Sequence, residues 1–315
     1  MNPLLGALLA AVVALVLTPC AAYVARRTGV VDRPGPLKVQ TRAIPYLGGL
    51  AVFAAAAGPI AISRPALLVP LGLAALLGLV DDIADIRAGI RLVAEIGVGL
   101  VAGILIDSPL PTGLGVVVTA ALVVGLINAV NLIDGLDALA SGVAVASAVG
   151  FVVIGGPARP IAAALAGALS GFLAYNRPPA RIYLGDSGAY LVGTALAVCT
   201  ALVLDDPGGA SGWAAIPLLV ALPVLDTAVA IVRRRRARRP LFSGDRSHVY
   251  DQLVDRGRSR VHVVGVMVAI QFLLTALGVM TANLAASLAL PAAAIVVGIL
   301  AVGVLRGGFI DPERS

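Results

Sequence analysis

Long apolar runs separated by short polar breaks extend from Asn2 to Leu305. The runs fall at 3–25, 47–63, 66–80, 91–106, 113–130, 139–155, 160–175, 187–204, 213–232, 262–283 and 287–305. Their apolar residues are continuous and do not alternate with a period of two, which favours helices over a membrane barrel, because backbone groups in lipid must be paired within each segment. A hydrocarbon core of roughly 30 Å needs about 20 residues of helix. Several of these segments are shorter than that, so tilt or local thinning of the bilayer is expected. The expectation is an all-α polytopic membrane protein of about 11 transmembrane helices, with 10 as the nearest alternative, forming a single integral membrane domain over 1–315. The opening run lacks a basic leader and passes into further spans, so it reads as a first helix that is not cleaved.

Composition agrees with the pattern. With 59% hydrophobic and 13% charged residues the chain is too apolar for a water-soluble globule, and the lipid bilayer is its solvent. Cys20 and Cys199 both sit in apolar segments without ligand spacing and read as packing residues. Short cytoplasmic loops collect Lys and Arg. With the N-terminus outside, all but Arg64 and Arg159 of the 23 basic residues fall on inner connections, and the C-terminus is cytoplasmic. The longest polar stretch, 233–260, is then a basic cytoplasmic loop. Its run from Arg233 reads by default as a topology signal held against anionic lipid.

The acidic residues collect on the same face, although the positive-inside bias makes no demand on them. Separate clusters of both signs on one face suit a metal and phosphates. "GLVDDIADIR" sets Asp81 and Asp82 side by side at a helix end, which reads as a solubility cap or as a cation site. In "GLINAVNLIDGLDALASG", Asn128, Asn131, Asp134 and Asp137 recur every third residue on one side of a helix. They form either an interhelical seam or a wet ligand site, since facing lipid would be costly. In "AYNRPPARIYLGDSGAYLVG", Asp186 lies between Gly185 and Gly188 just before a helix, as its cap or as a ligand-binding residue. In the long loop, His248 stands near Asp245 and Arg246, a setting suited to phosphate or protons unless it is incidental.

Taken in order, these segments resemble the polyprenyl-phosphate N-acetylhexosamine-1-phosphate transferase superfamily over nearly the whole chain. "DRPGPLKVQTRAIPYLGG" is similar to its first inner loop, "VDD" to its aspartate pair, "NAVNLIDGLDALA" to its N-x-x-D-G-x-D motif and "YNRPPARIYLGDSGA" to its N-x-x-P-A-x-x-F-M-G-D-x-G-S segment. "PLFSGDRSHVYDQL" is similar to a P-F-S-P-D-R-x-H-x-H-H motif, with Tyr250 and Asp251 where the family has its later histidines and Gln40 where it has another.

The resemblance implies transfer of a sugar-1-phosphate from a UDP-sugar to polyprenyl phosphate at the cytoplasmic face of the bacterial inner membrane, with Mg²⁺ as cofactor and Mn²⁺ as its alternative. Asp186 and Asp82 would bind the metal, and Asp81 and Asp82 would activate the lipid phosphate. Asn128, Asn131, Asp134 and Asp137 would shape the nucleotide site. Tyr183 would stack on uracil, Asn176 would contact the nucleoside and Lys38 would reach uracil or diphosphate. Asp245, Arg246 and the catalytic His248 would meet phosphate and sugar. A homodimer fits the resemblance; nucleic acid is not among the expected partners. The rival class for a many-helix chain is a transporter of a small anionic solute, with ionisable residues near the bilayer midplane. Here the carboxylates cluster at inner helix ends, and Asp226, a few residues inside its run after Pro223, is the exception.

Overall fold

One helix, α8 (Gly185–Leu204), runs through the middle of the bundle with 94% of its apolar window buried. Its sequence explains the position: Gly188, Ala189, Gly193, Ala195, Ala197 and Ala201 give it small faces that neighbouring backbones can approach closely. The computed structural model describes residues 1–34, 42–106, 112–204, 210–240 and 247–311. Before α8 come α1 (Pro3–Thr28), α2 (Gly48–Ser63), α3 (Leu68–Ala84), α4 (Ala88–Leu105), α5 (Thr112–Ile133), α6 (Leu139–Ile154) and α7 (Arg159–Asn176). After it come α9 (Ala210–Leu219), α10 (Ala221–Arg236), the short α11 (Val249–Asp255), α12 (Arg260–Ala282) and α13 (Ala286–Arg306). The protein is thus nearly all helical, and a two-residue antiparallel pairing of β1 (Val31–Asp32) with β2 (Ile44–Pro45) ties down the first polar connection.

Among the described residues, eight helices are long and apolar enough to cross a membrane, or nine when the bent pair α9–α10 counts as one span. Two shorter apolar helices, α2 and α6, occupy the places of the expected runs 47–63 and 139–155. The outer helices leave large apolar side chains uncovered, among them Leu4, Leu8, Val12 and Val16 on α1 and Leu288, Ile295 and Ile299 on α13. That is the lipid-facing surface of a multi-pass membrane protein.

The expected run 213–232 is not one straight helix, because α9 and α10 meet at 64°. Pro223 has no N–H to offer Leu219, and the break also frees the carbonyl of Leu218. Gln271 of α12 repairs both losses: its amide donates to the carbonyls of Leu218 at 3.1 Å and Leu219 at 3.0 Å, and its oxygen accepts the Leu222 N–H at 3.1 Å. The stretch 233–260 is likewise only partly loop, since α10 continues to Arg236 and α11 rises from Val249.

Candidate functional site

A cavity of about 1440 Å³ opens where α3 and α5 end and α8 and α12 begin. Among the described residues, nine aspartates line it (Asp32, Asp81, Asp82, Asp85, Asp134, Asp137, Asp186, Asp251 and Asp255), opposed by two arginines, Arg42 and Arg260. Asn131, Asn176, Tyr46, Tyr183 and Tyr250 complete its polar wall.

The start of α8 is fixed by contacts from two helices. Asp82 of α3 caps it across the bundle, with Oδ1 accepting the Asp186 N–H at 2.9 Å and Oδ2 the Ser187 N–H at 3.1 Å. These are donors that a helix start leaves unpaired, and the carboxylate also complements the positive end of the helix. Gly185, at φ 72°, turns the chain into the helix, and a Cβ there would stand 2.8 Å from both Asp82 Oδ2 and the Tyr46 carbonyl oxygen. Gly49 lets α2 touch the same turn, its N–H donating to the Leu184 carbonyl at 2.9 Å. The result presents Asp186 to the cavity, and no described residue hydrogen-bonds its side chain.

Asp81, the other member of the pair, lines the cavity but is largely buried, its carboxylate tied into a polar network. Its Oδ1 accepts the Ile86 N–H at 2.8 Å, and its Oδ2 accepts the Tyr190 hydroxyl at 2.5 Å and lies 3.4 Å from Arg91. Arg91 continues to Glu95 at 3.6 Å, and Glu95 accepts the Asn128 amide at 2.5 Å. Asn128 therefore points into the seam between α4 and α5 and is not part of the cavity lining. Of the other residues in its motif, Asn131, Asp134 and Asp137 do line the cavity. Asp137 also accepts the Ala180 N–H at 2.9 Å, which holds the 177–184 connection over the site.

Asp134 has no hydrogen-bond partner on its carboxyl among the described residues. Burial, then the charges of Asp186, Asp82 and Asp137, push it up to about 8. Tyr183 stands beside Tyr46 with ring centroids 6.2 Å apart, and burial, then Asp137, raise its phenol to about 12. Asn176 lines the cavity and uses both ends of its amide within the protein. It accepts the Ala138 N–H at 3.0 Å and the Ser141 hydroxyl at 3.3 Å, and donates to the Ile182 carbonyl at 3.0 Å.

His248 is turned away from the cavity. Only 4% exposed, it sits 2.6 Å from Asp226. Lys38, Asp245 and Arg246 lie outside the described residues. The basic run is not a cavity wall either: Arg233 and Arg234 are buried, and Arg233 donates to the Ser247 carbonyl. Sequence reading missed Asp32, Arg42, Tyr46, Asp85, Tyr250, Asp251, Asp255 and Arg260 as lining residues, and Glu95 behind them. Only for Tyr250 and Asp251 was there a signal, since they replace histidines of the motif that the loop resembles.

Among the described residues, no three acidic, histidine or cysteine side chains already form a cage for a metal ion. Mg²⁺ rarely needs one, being held by one or two carboxylates together with water and substrate phosphates. Asp134 and Asp186 are hard oxygen donors of that kind, with no hydrogen-bond partner on their carboxyls among the described residues, whereas both oxygens of Asp82, which the resemblance also makes a metal residue, are taken by N–H groups of α8.

Carboxylates gathered at helix ends over a bundle of apolar helices make an acid-lined site on an integral membrane protein, and the comparisons place the chain in a family. The glycosyl transferase family 4 model matches residues 65–204, the stretch that carries α3 to α8. The chain is 30% identical to the decaprenyl-phosphate N-acetylglucosaminephosphotransferase of Mycobacterium tuberculosis over 314 residues, covering 82% of this chain and 77% of the relative. It is 29% identical to the probable undecaprenyl-phosphate N-acetylglucosaminyl 1-phosphate transferase of Bacillus subtilis over 283 residues, covering 82% and 79%. A shorter match, 43% over 89 residues and 26% of this chain, joins it to the phospho-N-acetylmuramoyl-pentapeptide-transferase of Chlamydia muridarum, 27% of which is covered. The chain belongs to glycosyl transferase family 4.

Proposed function

We propose that this protein transfers N-acetylhexosamine-1-phosphate from a UDP-sugar to a polyprenyl phosphate in the inner membrane, releasing UMP on the cytoplasmic side as the first membrane step of a cell-envelope glycan. The observation that carries this reading is the acid-lined cavity at the ends of the helices, where no described residue hydrogen-bonds the carboxyls of Asp134 and Asp186. The distribution of Lys and Arg supports the orientation, with the N-terminus outside and eleven crossings once α2 and α6 are added to the other nine.

An oxygen of the lipid phosphate attacks the β-phosphorus of the donor, and the bond from that phosphorus to the bridging oxygen breaks, so UMP departs and a diphosphate bridge remains. Both substrates are anions, and the described lining of nine aspartates and two arginines is predominantly acidic, so a bound cation would ease their entry. Asp186 and Asp134 would hold Mg²⁺, which when bound offsets the negative charge on the phosphoryl oxygens. Asp82 keeps Asp186 in place through the α8 backbone. Tyr183 offers a ring for the uracil, and Arg42 and Arg260 offer forks for phosphate oxygens. The apolar outer faces keep the acceptor's tail in lipid while its phosphate reaches the cavity.

The test is to incubate purified protein with Mg²⁺, polyprenyl phosphate and a panel of UDP-sugars, and to follow UMP. Release that depends on the lipid and on one UDP-N-acetylhexosamine is expected. Absence of release with every donor would overturn the reading. A transporter finds little support, since the one acid well inside a span besides Glu95 is Asp226, which is committed to His248.

A further inference from the structure

The residue retained from the loop's histidine motif faces away from the cavity, while the two that replace its later histidines face into it. His248 Nδ1 lies 2.6 Å from Asp226 Oδ2, and Asp226 Oδ1 accepts the Val249 N–H at 2.7 Å. One carboxylate of α10, 2% exposed, thus holds both the side chain before α11 and its first backbone N–H. On its other side the imidazole lies parallel to the Tyr250 ring, with centroids 5.5 Å apart and an interplanar angle of 6°. The Tyr250 hydroxyl donates to the Leu132 carbonyl at 3.1 Å, and its ring lies so close over Gly135 that any Cβ there would collide with it. Asp251 closes the turn by accepting the His248 N–H at 3.3 Å. A continuous series of contacts therefore runs from Asp226 through His248 and Tyr250 to the turn that bears Asp134 and Asp137.

We propose that His248 is a positioning residue: clamped by Asp226, it sets α11 so that Tyr250 and Asp251 form one wall of the cavity and Tyr250 holds the Asp134–Asp137 turn. The inference rests on the transferase reading for its activity readout, and on geometry alone for its structural readout. The clamp runs through Nδ1, which donates to Asp226 in the tautomer that carries its proton there. The Nδ2 amide of asparagine reproduces that donor but carries no imidazole, so the two roles separate by substitution.

The variants His248→Asn, His248→Ala, Asp226→Ala and the double alanine variant are assayed for UMP release at saturating Mg²⁺. Their amide hydrogen exchange is followed in parallel. His248→Asn should stay within a few-fold of wild type in kcat/KM. His248→Ala and Asp226→Ala should each fall on the order of tenfold or more, as when other orienting partners are removed. The double variant should lose less than the two single losses combined, because both remove the contact between Asp226 and His248. The loss should be mainly in kcat, and exchange should rise across 248–255 and not along α8. The proposal is overturned if His248→Asn is as inactive as His248→Ala while 248–255 stays protected, or if Asp226→Ala behaves as wild type. Should the wild-type protein transfer nothing, the reaction reading fails, and the exchange data decide the positioning role. Raised exchange at 248–255 in both alanine variants would support it and unchanged exchange would overturn it.

Discussion

Asp82 on α3 holds the backbone N–H of Asp186 at the start of α8 at 2.9 Å, so two aspartates 104 positions apart in sequence divide one task. The first builds the helix start and the second works from it. Asp186→Asn should abolish UMP release with little change in melting temperature, because an amide is a poor ligand for a hard cation and no hydrogen bond to that side chain is lost. Asp82→Ala should instead lower stability by about 1–3 kcal/mol by stranding two N–H groups at a half-buried helix start. Melting in detergent, measured alongside UMP release, separates the two. An Asp186→Asn protein with full activity would remove the metal assignment.

Much of this site was legible in the sequence for a physical reason. Carboxylates at the polar ends of apolar runs have only one kind of place to go, and Asp82 and Asp137 do meet on one cavity. What could not be read were relations set by helix packing. Nothing local marks Asp32, Tyr46 or Arg260 as neighbours of Asp186, and nothing marks Gln271 as the repair of a broken span. Asn128, Asn176 and Asp81, to which the resemblance gives roles toward nucleotide and lipid phosphate, each also make hydrogen bonds inside the protein that the sequence does not announce.

Asp134 gives the site a pH dependence. Its carboxyl titrates near 3.8 when unfolded and at about 8 in the folded protein. Between those values the folded state alone keeps the proton, so stability of the metal-free protein should fall as pH rises through that window and level off above it. Mg²⁺ should reverse the trend, since it favours the ionised carboxylate, and at limiting Mg²⁺ transfer should rise up to about pH 8. Melting curves from pH 6 to 9 with and without Mg²⁺ check the sign, and Asp134→Asn should flatten both profiles.

Gly185 should tolerate no side chain. At φ 72° a Cβ costs about 1–2 kcal/mol from backbone sterics alone. It would also press within 2.8 Å of the Asp82 carboxylate that caps α8. Gly185→Ala is therefore expected to lose most transfer activity by displacing Asp186, with a drop in kcat larger than any rise in the donor's KM. An alanine variant with wild-type kcat would show that the turn is not what aligns Asp186.

Asn128 offers the sharpest contrast between spacing and structure. Its motif suggests a nucleotide contact, but its amide donates to Glu95, which is 1% exposed in the interior of α4 and linked through Arg91 to Asp81. Removing that amide leaves a buried carboxylate with one partner fewer, a loss of about 1–3 kcal/mol. Asn128→Ala should accordingly lower the melting temperature while leaving the KM for UDP-sugar within a few-fold of wild type. Glu95→Gln can still accept from Asn128 and bears no buried charge, so in the Asn128→Ala background it should recover part of the lost stability, as coupled partners do. A large KM increase in Asn128→Ala without a change in melting would return this residue to the nucleotide site.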